Sequence, residues 1–173
     1  MRRAHAIAVG LGWVALGAAA QAAPEGRFGW LGLAPVEAGQ TLAQAEAALG
    51  AALQPEAPAD KDAARCHLRS TPARPGVAFV VDQGRVTRTE TRDPRYPTVR
   101  GVRVGDPVKR VREIYGARLE VRPHAYFERG LMLSVYSPDR KFALVMESND
   151  AGRLVMLRGG MVPAVESLAG CST

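Results

Sequence analysis

Downstream of an apolar N-terminal run, the side chains able to do chemistry are two histidines, two cysteines and scattered carboxylates. His124 stands in Pro123-His124-Ala125-Tyr126, with Glu120 and Glu128 on either side. An imidazole beside a carboxylate and a phenol has the makings of a general base, since the carboxylate can orient the ring that takes the proton. No nucleophile is matched to it. Ser134, Ser137, Ser148 and Ser167 lack the Gly-x-Ser-x-Gly elbow. A small exported enzyme centred on His124 is therefore the alternative reading, and a turn histidine bonded to backbone is the plainer one. Cys66, His67, His124 and Cys171 are zinc-ligand types. They lack paired ligand spacing, and adjacent residues of a strand such as Cys66 and His67 point to opposite faces. No metal, cofactor or catalytic residue is expected. The glycine-bracketed stretch GDPVKRVREIYG, Gly105 to Gly116, has no Lys-Ser or Lys-Thr pair of the kind a phosphate loop uses.

That stretch marks the start and stop of a helix, and an earlier stretch has the same pattern. Gly39 to Gly50 carries Leu42, Ala45, Ala48 and Leu49 where Gly105 to Gly116 carries Val108, Val111, Ile114 and Tyr115. Each set lays one apolar stripe along a helix. Thr41 with Gln44 forms a capping-box pattern, Asp106 and Pro107 suit a helix start, and Gly50 and Gly116 suit left-handed stops. Strand-like runs follow both helices. Val77–Val81 leads through Asp82-Gln83-Gly84-Arg85 into Val86–Glu90, and Phe142–Met146 leads through Asp150-Ala151-Gly152-Arg153 into Leu154–Leu157. Each is a hairpin signal, and Asp82 and Asp150 serve the turns. An earlier strand precedes each hairpin, at Cys66–Arg69 and Leu131–Ser137. The expected fold is α+β, built as two tandem helix-plus-antiparallel-sheet modules, each reading helix-strand-strand-strand, over residues 23–97 and 98–173. Ala51 to Arg65 reads as an irregular loop. Ala117 to Gly130 has room for an additional strand, Leu119 and Val121 alternating. TRDPRYPTVRG reads as extended, and Met161 to Leu168 as a short strand or helix.

Composition and ends set the compartment. Met1-Arg2-Arg3, the apolar run Ala6 to Ala20 and Ala20-Gln21-Ala22 form the pattern of a cleaved secretory signal peptide over residues 1–22. The run falls short of the roughly 20 residues that span a bilayer. The expectation is a periplasmic or secreted protein with no stable membrane insertion after cleavage. No cysteine near the cleavage point offers a bacterial lipid anchor. Cys66 and Cys171, an even pair in an oxidising compartment, are expected to form a disulfide. The formal charge of +6 is uneven. Arg85 to Arg122 holds eleven Lys or Arg against five Asp or Glu, which is 11 − 5 = +6 within that stretch. Export and the lack of aromatics interleaved with the arginines argue against nucleic acid. An envelope protein or an anionic glycan or lipid headgroup remains as partner, and solvated strand and helix faces are the plainer account of the charge.

A glycine-bounded helix followed by antiparallel hairpins, in tandem, resembles the beta-lactamase-inhibitor-protein type and the outer-membrane assembly lipoprotein module. The chain also resembles a family of exported bacterial proteins of unassigned function. Those share a GVRVGD-like start, here Gly101 to Asp106, a PHAY-like tetrapeptide, here Pro123 to Tyr126, an Asp-x-Gly-Arg hairpin and a terminal Gly-Cys. The resemblance implies helices on one face of an antiparallel sheet. Departures limit it, because the inhibitors carry disulfides inside their modules and the assembly lipoproteins carry a lipid. The expected function is a noncatalytic binding module or, in the third reading, an inhibitor of an exported enzyme. Two tandem sheets would offer a shared concave surface. The candidate binding surface is His124, Tyr126, Arg122, Arg88 and Arg103, with Phe28, Trp30, Tyr96, Phe127 and Tyr136 as further aromatics that serve either as anchors or as core.

Overall fold

Two eight-residue helices pack over one continuous antiparallel sheet of eight strands. The structure, a computed structural model, describes residues 26–56, 66–169 and 171, so the signal-peptide expectation and part of the loop before Cys66 lie outside the described residues. A short hairpin of β1 (Phe28–Gly29) and β2 (Gly32–Leu33) leads into α1 (Leu42–Leu49). Then come β3 (Gln54–Pro55), β4 (Cys66–Ser70), β5 (Val77–Asp82) and β6 (Arg85–Thr91). The second half runs α2 (Val108–Tyr115), β7 (Glu120–Pro123), β8 (Leu131–Tyr136), β9 (Phe142–Ser148) and β10 (Leu154–Met161). The order in the sheet is β3-β4-β5-β6-β10-β9-β8-β7.

The α+β class stands, with a correction. Two separate sheets were expected, but β6 and β10 pair antiparallel from Leu157 opposite Thr91 to Gly160 opposite Arg88, and this makes one sheet. Each helix is followed by four strands rather than three: Gln54–Pro55 pairs with β4 inside the expected irregular loop, and the additional strand for which Ala117 to Gly130 has room is Glu120–Pro123, paired with β8. The TRDPRYPTVRG stretch is not extended throughout: it turns at 94–95 and 99–100 and forms a single parallel bridge, Thr98 with Phe28. Asp93 accepts the amide of Arg95 at 2.9 Å and turns the chain, as aspartate does in loops.

The helix ends follow mostly from sequence. Thr41 and Gln44 form the reciprocal box, and Gly50 takes the left-handed conformation at φ 64°. Asp106 does not cap α2. Its carboxylate accepts the amide of Arg103 at 3.0 Å and pairs with Arg110, so Pro107 occupies the cap position without a side-chain bond. Gly116 has positive φ but a ψ of −132°, which leads into a 3-10 turn at Gly116–Arg118 instead of a left-handed stop.

Strand alternation divides the sheet into two faces. Val77, Phe79, Val81, Leu133, Val135, Leu144, Met146 and Leu157 belong to the main core, which takes in Ala45 from α1 and Val111 and Tyr115 from α2. Both apolar stripes thus share one core, although Ala48 stays exposed. A fully buried aliphatic or aromatic side chain of this kind contributes about 1.5–3 kcal/mol. The opposite face, called the second face below, gathers Met132, Ala143 and Val145 under Val165 in a smaller cluster. The sheet meets the β1–β2 hairpin with no side chain to spare. A Cβ on Gly159 would stand 2.4 Å from the Gly29 carbonyl and 2.7 Å from Gly32 Cα. Gly159→Ala is therefore expected to destabilise the fold by about 1–3 kcal/mol through overpacking, read from the midpoint of urea denaturation. A change within about 0.5 kcal/mol would mean the hairpin is not seated on β10.

Candidate functional site

The second face carries a chain of buried charges that crosses the seam between β6 and β10. Arg88 and Glu90 lie two apart on β6, and Arg158 on β10 is the register partner of Glu90. Glu147 on β9 pairs in register with Met156, two residues from Arg158. Arg88 is 1 % exposed, Arg158 3 % and Glu147 4 %. Arg88 Nε donates to Glu90 Oε2 at 2.9 Å, and Arg158 Nε lies 3.5 Å from the same oxygen. Arg158 Nη2 makes a close ion contact with Glu147 Oε1, which has no hydrogen bond of good geometry and is neutralised by that contact. Burial pulls the Arg158 guanidinium below its usual range, with Glu147 and Glu90 opposing the shift.

The chain ends at His124, 3.3 Å from Glu147 Oε2 through Nε2. Its other nitrogen, Nδ1, accepts the amides of Tyr126 at 3.0 Å and Phe127 at 3.2 Å. A nitrogen that accepts two N–H groups carries no proton, so the proton sits on Nε2, directed at the carboxylate. Both nitrogens are committed to the fold. His124 shapes the turn between β7 and β8, and Phe127 packs on its ring with centroids 4.8 Å apart. Arg129 N donates to Asp150 at 2.8 Å and ties this turn to the β9–β10 turn.

Two covers sit on this face. The C-terminal strap leaves β10 at Met161, forms a 3-10 turn at Ala164–Glu166 and reaches Cys171, which is bridged to Cys66 on β4. Arg88 Nη1 donates to the carbonyls of Ala164 at 2.6 Å and Ser167 at 2.9 Å, and Nη2 to Ala169 at 2.8 Å. Arg158 Nη1 donates to Ser167 at 2.8 Å. Glu166 takes the Tyr136 hydroxyl and the Arg122 guanidinium. Burial and then the Glu166 bond raise the Tyr136 phenol above its ordinary value. The second cover is the His124 turn. Away from both lies an open groove of about 470 Å³ floored by Leu68, Ala78, Glu90 and Met156, with Glu56 and Arg92 in its lining. Met156 is the register partner of Glu147, so the groove begins one strand from the carboxylate that His124 meets.

The five candidate surface residues therefore separate. Arg88 is not a surface residue, because its guanidinium lies beneath the strap. His124 is 7 % exposed and acts inside its turn. Tyr126, in contrast, is 78 % exposed. Arg122 is exposed on β7 and engaged with Glu166, and Arg103 lies exposed in the loop before α2, away from the others. Of the further aromatics, Phe28 is core, Trp30 is 38 % exposed, and Tyr96 and Tyr136 are half-buried. The expected Cys66–Cys171 disulfide is present. Sequence reading missed Glu90, Glu147 and Arg158. Glu90 alternates with Arg88 on β6, which is also what a solvated face looks like, whereas Glu147 and Arg158 are each the single charged residue of an otherwise uncharged strand. Among the described residues no cluster of His, Cys, Asp and Glu is arranged to hold a metal ion, and no helix is long and apolar enough to cross a membrane. No family model, curated protein or solved structure matches the chain.

Replacing Arg158 by Met leaves Glu147 without its guanidinium and is expected to cost about 3–5 kcal/mol in chemical denaturation. Adding Glu147→Leu to that variant should recover part of the loss, and a double variant no better than the single one would contradict the pairing. Ring nitrogen shifts of His124 at neutral pH should report Nδ1 unprotonated and Nε2 protonated, and the reverse tautomer would overturn the turn geometry.

Proposed function

We propose that the protein is a noncatalytic binding module of the exported compartment, and that its partner is a protein segment engaging Tyr126 and the open groove floored by Leu68, Ala78 and Met156. The observation that carries the reading is the cost of presenting Tyr126. A large aromatic ring stands almost wholly in solvent, on a turn fixed by a buried histidine that takes two of its amides. Rigid, exposed tyrosines lose little entropy on docking and are enriched among the residues that dominate interfaces. The groove adds apolar floor from Leu68, Ala78 and Met156 on the same side of the sheet. Glu56 and Glu90 stand against Arg92 in its lining, a balance that suits a peptide better than an anionic glycan or lipid headgroup.

We also infer that the fold is a doubling, residues 23–97 and 98–173, of one helix-plus-sheet unit. Matching backbone bonds support this. Leu42 N donates to Gly84 O at 2.9 Å and Val108 N to Gly152 O at 3.0 Å; Gly39 N donates to Val86 O and Gly105 N to Leu154 O, both at 2.8 Å. Arg85 donates to Gly39 O and Arg153 to Gly105 O. Each helix start is thus tied to the hairpin turn of its own half. The resemblance to the beta-lactamase-inhibitor-protein type and to the assembly lipoprotein module, read from the glycine-bounded helices and hairpins of the sequence, belongs to the same proposal, and an inhibitor role is one form the binding function would take. Export through a cleaved leader agrees with a long-range disulfide.

Tyr126→Ala should leave the melting temperature unchanged, because the ring is outside the core. It should weaken capture of the partner from envelope extract by about 2 kcal/mol in affinity, the scale of an interface anchor. Equal capture by the wild type and the variant, quantified by mass spectrometry, would refute the Tyr126 anchor.

A further inference from the structure

The strap resembles a bound ligand more than a piece of sheet. Arg88 and Arg158 give it four hydrogen bonds, all to main-chain carbonyls, those of Ala164, Ser167 and Ala169. Val165 fills the apolar hollow of Met132, Ala143 and Val145, and Val162 and Leu168 pack half-buried against the same cluster. Main-chain bonds for affinity and a pocket for one side chain are how proteins hold peptides. The charges beneath are balanced, with Arg88 and Arg158 against Glu90 and Glu147, so the site suits neutral carbonyl oxygens rather than a phosphate or sulfate. Among the described residues between Glu166 and Cys171 none is fully buried: Ser167 and Leu168 are half-buried and Ala169 is exposed. Its far end is held by the guanidinium bonds, by Leu168 packed half-buried against the Val165 cluster, and by the Cys66–Cys171 bridge.

We propose that residues 162–169 are a displaceable self-peptide on a peptide-binding site built from Arg88, Arg158 and the Val165 hollow, and that the Cys66–Cys171 bridge locks it there. The proposal rests on reading the second face as a binding surface, and concerns its covered half rather than Tyr126. Opening is a thiol–disulfide exchange with a dithiol partner. One thiolate of that partner attacks a bridge sulfur, breaking the S–S bond and forming a mixed disulfide. Its second thiolate then displaces the remaining cysteine, so the partner leaves oxidised and Cys66 and Cys171 remain as thiols, two electrons and two protons richer. The freed strap then competes with an external peptide that can reproduce its carbonyl contacts.

The test uses the full chain in three forms: bridged, reduced with dithiothreitol, and carrying Cys66→Ser with Cys171→Ser. Amide hydrogen exchange over 162–169 should rise roughly tenfold or more without the bridge, while β5, β6, β9 and β10 keep their protection, as expected of local opening. A fluorescent peptide with the sequence of residues 162–169 should bind the two unbridged forms and bind the bridged form at least about tenfold more weakly. The same peptide with aspartate in place of its Val165 equivalent should bind neither. Unchanged exchange in the strap, loss of protection across all strands, or peptide binding that ignores the bridge overturns the proposal. Tyr126→Ala in the unbridged chain should leave peptide binding unaltered, so failure of the strap site and failure of the Tyr126 anchor read out separately.

Discussion

Two guanidinium groups buried on one face of a sheet set the terms for the rest of the molecule. An arginine cannot shed its charge, and its five N–H groups all seek acceptors. Arg88 and Arg158 lie side by side beneath protein, where water cannot serve them. Two carboxylates, Glu90 and Glu147, supply the counter-charge, but ion pairing alone rarely offsets the desolvation of both partners. The balance is completed by carbonyl oxygens, and the C-terminal strap brings them.

Several features follow from that requirement. The 3-10 turn at Ala164–Glu166 turns its first carbonyl toward the sheet, so that Ala164 O accepts both the Ser167 amide at 3.3 Å and Arg88 Nη1 at 2.6 Å. Val165 and Glu166 fix its near end, through the Met132 hollow and through Tyr136 with Arg122. The bridge to Cys66 fixes its far end, and closing a loop of 105 residues contributes about 4–5 kcal/mol on the chain-entropy account. The same charges explain why the sheet is continuous. Glu90 belongs to the first half of the chain and Arg158 and Glu147 to the second, so the network pins the β6–β10 seam from one side while the shared core pins it from the other. His124 closes the line, and its turn is positioned by the last carboxylate in it.

What was legible in the sequence was local. Thr41 with Gln44, the Gly50 stop and the Asp-x-Gly-Arg turns act within a few residues, and the chain adopts them nearly as written. Asp106 shows the limit of local reading, because Arg103 and Arg110 lay claim to its carboxylate before the helix can. The single sheet was not legible, since a strand pattern fixes which face a residue takes but not which strand lies alongside. Arg88 was the largest misreading. An arginine at an alternating strand position has the pattern of a solvated face, and what buries it is a C-terminal segment with no period of its own. The even cysteine count was the one sign of that segment's path. His124 was legible as a turn residue, but its link to Glu147, twenty-three positions on, was not.

The ends of the sheet bear on how such a protein meets a partner. Exposed edge strands invite another chain to pair, and natural sheets blunt them with charge, proline and brevity. Here β7 is four residues long, ends in Pro123 and carries Glu120, which Arg140 clamps at 2.6 Å while stacking over Tyr136. At the other side β3 has two residues, the second of them Pro55. Neither edge is shaped to be extended by a guest strand. The helix-covered face is filled by core. What the fold leaves accessible is the second face, where polar and charged groups alternate with apolar floor and where the chain's own terminus is already held by its main-chain carbonyls. Under the proposed binding role, a sheet that closes its edges and retains a half-covered face would be met from above rather than from the side.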